Sequence, residues 1–115
     1  MPSSYEQPAL YGDRWITCTQ QELLIRGYYF PWGPPKRIAY RDIRGVTLVQ
    51  LSALTGKYRI WGTSDFSYWA HLDPGRPSKQ AGLMIDLGRA IRPFITPDDP
   101  EQVKRIIERG MVGGL

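Results

Sequence analysis

One stretch of this chain breaks the rhythm of everything before it. In "TPDDPEQVKRIIERG", residues 96–110, Val103, Ile106 and Ile107 fall at the 3.6-residue spacing of a single apolar helical stripe. Asp99 is a good N-cap, Pro100 suits the first helical position, and Gln102 stands where a side chain can reach back to the cap. Glu101 and Arg105 lie four apart on the wet face, with Arg109 complementing the C-terminal dipole and Gly110 able to cap the helix. A lone amphipathic helix of this length is marginal in water, so the rest of the chain must offer a hydrophobic opening for it to cover.

That rest reads as short strands divided by turn residues. "RWITCT" (14–19) and "ELLIRGYYF" (22–30), split by Gln20-Gln21, predict a first hairpin, and Tyr28 and Phe30 should then share one face with Tyr29 on the other. "PWGPP" has to turn because proline cannot donate to a ladder, and "KRIAY" (36–40) completes a second hairpin. After the short corner "RDI", "RGVTLVQLSAL" (44–54) puts Val46 and Leu48 on one face and Thr47 and Val49 on the other. "YRIWG" (58–62), "SYWAHL" (67–72), "LMIDLG" (83–88) and "RPFIT" (92–96) supply the remaining strands, with a loop over 73–81 announced by Asp73-Pro74-Gly75. The expected domain is residues 9–110, between an N-terminal tail (1–8) and a frayed C-terminal tail (111–115), with no internal repeat.

About seven short antiparallel strands followed by one helix resembles a bacterial pleckstrin-homology-like (PH-like) domain from about residue 9 to residue 109. "WITCTQQELLIRG" resembles its first hairpin, "RIAYRDIRGVTL" its hydrophobic-basic strand with a "DI" corner, and "FITPDDPEQVKRIIE" the approach to its capping helix. The resemblance implies a mainly β barrel or sandwich of two nearly orthogonal sheets, closed at one end by the helix. An oligonucleotide-binding barrel would instead place a helix between strands.

Composition narrows the possible functions. With 115 residues, 42% hydrophobic and 23% charged, the chain suits one globular core, and no apolar run approaches the length of a membrane-spanning helix. "MPSSYEQPALYGDRW" has no basic start and no apolar run, so no secretory signal is expected, and the single Cys18 excludes an internal disulfide. Cytoplasmic residence is the expectation. The net charge of +4 is uneven: residues 14–59 carry eight Lys and Arg against Glu22 and Asp42, whereas residues 60–115 carry seven of each sign. A basic half of this kind suits an anionic partner.

The residues for catalysis are sparse. One histidine, His71, and one cysteine, Cys18, stand 53 positions apart without a nucleophile-elbow pattern, and they are too few for a structural zinc site. Asp98 and Asp99 are explained by the helix start, and neither glycine-rich phosphate-binding pattern is present. No enzyme activity, cofactor or metal is therefore expected, and no small-molecule substrate.

Three binding readings remain. The first is protein–protein or self-association through Trp32, Trp61, Tyr68 and Trp69, since four Trp and seven Tyr exceed what a small core comfortably hides. The second is a peripheral contact with anionic lipid through Lys36, Arg37, Arg41 and Arg44, with Trp32 as interfacial anchor. It departs from lipid-binding PH domains, because the first hairpin loop, "TQQE", carries no cation. The third, the weakest, is single-stranded nucleic acid stacked on Tyr28, Tyr29, Phe30 and Trp32 beside Lys36 and Arg37.

Overall fold

The computed structural model describes residues 9–29, 33–51, 62 and 68–113, which form two four-stranded sheets and one helix. The first sheet follows chain order and is antiparallel throughout: β1 (Tyr11–Gly12), β2 (Ile16–Cys18), β3 (Glu22–Ile25) and β4 (Lys36–Ala39). The second contains β5 (Gly45–Gln50), β6 (Tyr68–Ala70), β7 (Ala81–Asp86) and β8 (Arg92–Ile95), ordered β5-β7-β8-β6. The helix α1 runs over Pro100–Gly113.

The β2–β3 hairpin forms as the alternation predicts. Ile16, Cys18, Leu23, Ile25 and Ile38 all face inward and are buried, and Thr19 Oγ1 accepts the N–H of Gln21 and Glu22 to hold the turn. The strand does not extend to Phe30. It ends at Ile25 and the chain turns over residues 26–29, where Gly27 has a φ of 76°. Tyr28 is buried and Tyr29 is 46% exposed because of that turn, not because of strand alternation; Phe30 lies outside the described residues.

The second sheet is apolar on both faces. Leu83, Ile85 and Ile95 enter the main core with Val46 and Leu48, while their neighbours Met84 and Phe94 join Val49, Leu51, Tyr68 and Ala70 in a second cluster on the reverse face. Not every pairing is antiparallel as expected: β6 pairs with β8 in parallel. The end of β6 and the start of β7 therefore both lie at the C-terminal end of β8, and the chain passes between them through a 3-10 turn at Arg76–Ser78 within the segment expected as a loop.

At the helix start, Asp99 Oδ1 accepts the Gln102 N–H at 3.1 Å, as an N-cap should. The reach-back assigned to Gln102 is made by Tyr11 instead, whose hydroxyl accepts the Asp99 N–H at 3.0 Å and donates to Asp13 at 2.5 Å. Asp13 also accepts from the N–H groups of Trp15, Ile16 and Asp98, so this one carboxylate joins the β1–β2 turn to the helix start. Burial alone would raise its pKa, but these hydrogen bonds outweigh that and hold it below the usual carboxylate value. Val103 and Ile107 are fully buried, and α1 packs on β5, on the 3-10 turn Tyr40–Asp42 and on β7.

The helix does not end at Gly110. It continues to Gly113, so Met111 and Val112, read as a frayed tail, are helical. Gly110 is an interior residue whose missing side chain makes room for Tyr40: a Cβ there would stand 2.6 Å from Tyr40 Cγ and 2.8 Å from its Cβ.

A candidate basic cleft

Four cations singled out in the sequence line one concavity of about 540 Å³. Lys36 and Arg37 come from β4, Arg41 from the 3-10 turn, and Arg44 from the residue before β5; Arg89 in the β7–β8 turn adds a fifth, with Ile38 and Leu87 as apolar lining and Asp42 as the one acid among the described lining residues. The route of the chain explains the meeting. The Ile43 N–H bonds back to the Tyr40 carbonyl at 3.0 Å, and the Arg44 N–H reaches the Asp86 carbonyl at 2.7 Å, bringing the corner to the end of β7. There Gly88, at φ 77°, turns the chain and leaves space above itself for Arg44: a Cβ at Gly88 would meet the guanidinium carbon at 2.6 Å.

The five cations are not equally available. Arg37 pairs with Glu22 at 2.6 Å, an exposed contact of little energetic weight. Lys36 sits 5.1 Å and 5.7 Å from the Tyr28 and Tyr29 ring centres and donates to the Tyr29 hydroxyl at 3.3 Å. Arg41, Arg44 and Arg89 form no ion pair among the described residues. Their guanidinium forks can therefore meet an oxyanion without breaking an existing bridge. Arg89 was not singled out in the sequence, where it reads only as a cation in the turn after "MIDLG".

The aromatic candidates do not form a comparable surface among the described residues. Trp32 and Trp61 lie outside them. Tyr68 and Trp69 are half-buried: Tyr68 packs edge-on to Phe94 at 5.6 Å, and Trp69 packs against the main core and donates its indole N–H to the Tyr28 carbonyl at 2.9 Å. Both have structural duties.

A buried ionic cluster, not anticipated from the sequence, lies under the β6–β7 connection. Arg76 is wholly buried, donates to the His71 carbonyl at 2.8 Å and Thr96 Oγ1 at 3.2 Å, and stands 5.8 Å from the Phe94 ring centre. Asp73 accepts from Thr96 Oγ1 at 2.5 Å and from Lys79 at 2.7 Å, and Lys79 also reaches the Thr96 carbonyl and Asp98. Because the Thr96 N–H donates to His71 Nε2, the ring proton resides on Nδ1, which donates to the Leu72 carbonyl at 2.8 Å. Burial, and then the Arg76 charge, push His71 down to about 3, so the ring is neutral at pH 7. Every one of these groups is already engaged, so the cluster straps the β6–β7 connection to Thr96 and Asp98 in the segment between β8 and α1.

His71 makes a pH prediction. Its folded pKa is depressed below the unfolded value, so its contribution to stability is fully present above the unfolded value of about 6.5. It is lost as pH falls towards about 3, because only the unfolded chain takes up the proton. Chemical denaturation at several pH values should show stability falling by up to about 1.4 kcal/mol per pH unit across that window. The slope should be shallower in His71→Gln; an identical slope would refute the assignment.

Cys18 does not join His71. It is buried in the main core beside Tyr40, and burial pushes its thiol up to about 12, leaving it protonated and unreactive at neutral pH. No group of three His, Cys, Asp or Glu side chains among the described residues is arranged to hold a metal. A further concavity of about 470 Å³ at the start of α1 is edged by Asp98, Asp99 and Glu101, with Lys79 in its wall.

Comparison with known proteins yields no match to a family model, a curated protein or a solved structure. What fold and site define is therefore a class: a two-sheet β domain with a C-terminal helix packed on it and a cationic cleft where strand ends and turns meet.

Proposed function

We propose that this chain is a non-catalytic binding module of the PH-like kind that docks on anionic membrane surfaces through its basic cleft. The observation that carries the reading is the convergence of Lys36, Arg37, Arg41, Arg44 and Arg89, from separate elements, on one concavity whose described lining includes one acid, Asp42. Cations held near an anionic leaflet contribute about 1 kcal/mol each, so a cleft with three arginines that form no ion pair among the described residues suffices for reversible, salt-sensitive attachment. Attachment of this kind is peripheral; no helix among the described residues is long and apolar enough to cross a membrane.

Two considerations favour this reading over the others. Single-stranded nucleic acid needs free aromatic faces, and of the described rings beside the cleft Tyr28 is buried and Tyr29 already carries Lys36. Association through the aromatic residues loses two of its four members to packing, since Tyr68 and Trp69 serve the interior.

Co-sedimentation with vesicles tests the proposal. Binding is expected for vesicles containing phosphatidylserine, not for phosphatidylcholine alone, and should be reversed by high salt. Replacing Arg44 and Arg89 together by alanine should weaken partitioning roughly thirtyfold, two cations at about 1 kcal/mol each. Equal binding to neutral vesicles, or indifference to both salt and the double substitution, would remove the proposal.

A further inference from the structure

A second surface has a different character. Along the outer face of α1, Gln102, Arg105, Ile106 and Arg109 form with Leu10 a groove of about 350 Å³. Leu10 is 46% exposed, yet its backbone is fixed, with its N–H on the Cys18 carbonyl at 2.7 Å. Its apolar wall is thus held in place before anything binds. Ile106, half-buried at the margin of the helical stripe, is the other apolar side chain.

The charges here are unmatched. Glu101 and Arg105 are both exposed, and Glu101 lines the concavity at the helix start with Asp98 and Asp99, while Arg105 lines this groove. Arg105 and Arg109 are like charges four apart, an arrangement that costs an isolated helix a few tenths of a kcal/mol. Neither forms an ion pair among the described residues, whereas Lys104 and Glu108 on the same helix pair at 2.8 Å. The remedy for two unmatched arginines beside two apolar side chains is a ligand with carboxylates flanking an apolar anchor.

We propose that this groove docks an acidic segment of a partner protein, seating an apolar side chain between Leu10 and Ile106 and carboxylates on Arg105 and Arg109. A membrane surface is a poorer fit, because its headgroups offer no apolar side chain to sit between Leu10 and Ile106. The proposal uses no residue of the basic cleft and stands or falls apart from it.

The test is fluorescence anisotropy of the full chain with a labelled synthetic peptide of about a dozen Glu and Leu residues, compared with a Glu/Ser peptide and a Lys/Leu peptide. Saturable binding of the Glu/Leu peptide alone is expected. Arg105→Glu combined with Arg109→Glu should weaken it about tenfold or more at low salt and less at high salt, as for charges on an interface rim. Leu10→Ser, which leaves every cation in place, should weaken it severalfold, and Arg44→Ala with Arg89→Ala should leave it unchanged. The proposal is overturned if the Glu/Leu peptide gives a flat titration, if the α1 substitutions have no effect, or if the cleft substitutions abolish binding. It is equally overturned if light scattering shows arginine-dependent self-association that the peptide does not displace, since a second copy of the chain would then be the occupant.

Discussion

Replacing Asp73 by alanine is expected to destabilise the fold by about 3–5 kcal/mol, the range for removing one partner of a buried ionic group. Asp73 is 1% exposed and carries the negative charge facing Arg76 and Lys79. Without it, the wholly buried Arg76 guanidinium loses a nearby negative charge, Lys79 keeps only its longer ion pair with Asp98, and Thr96 Oγ1 loses its acceptor. For a domain of this size the loss corresponds to a fall in melting temperature on the order of 15 °C. Asp73→Asn keeps the shape and an acceptor, so its loss should be smaller. Thermal melts of the two variants decide the matter. A drop of only a degree or two in Asp73→Ala would show that the cluster is not what fastens the β6–β7 connection. The carboxylate adds an acid limit of its own: although burial acts to raise it, hydrogen bonds from Lys79 and Thr96 and the Lys79 charge hold Asp73 below its usual value. Its stabilisation is therefore present above the ordinary carboxylate range and is lost as pH falls through the depressed folded value.

Gly110→Val should cost about 2–3 kcal/mol, by overpacking. For an exposed helix interior, replacing glycine by alanine is expected to stabilise by up to about 1 kcal/mol, with valine gaining less. Here the added Cβ would meet the ring of Tyr40, which is 2% exposed and cannot swing away while its hydroxyl donates to the Thr19 carbonyl at 2.7 Å. Sterics therefore override propensity. Urea denaturation that finds Gly110→Val as stable as the parent would mean that Tyr40 does not hold α1 against the sheets.

Gly110 shows where a local reading ends. By itself it has the identity of a helix stop, and only contact with a ring seventy residues away in the chain makes it an interior residue of the helix. The same holds for Arg76, which in sequence is a loop cation between Gly75 and Pro77 and in the fold is a wholly buried anchor. The parallel placement of β6 escaped for a related reason, since alternation within a strand says nothing about which strand lies beside it. Of the cleft, Lys36, Arg37, Arg41 and Arg44 were legible because they crowd a short stretch around a corner. Arg89 was not, because its membership depends on β7 delivering its turn to that corner.

Local chemistry in the chain specified the alternation that buries Ile16, Cys18, Leu23, Ile25 and Ile38, the Asp99 cap, and the stripe of Val103 and Ile107. These follow from side-chain periodicity and nearby hydrogen bonds, which act over a few residues and can be read along a line. Three-dimensional packing decided the rest: the passage from β6 to β7 beside the end of β8, the buried Arg76–Asp73–Lys79 cluster and the five-cation cleft. Those features depend on desolvation and on contacts between distant segments, and both exist only once the sheets have closed on their core.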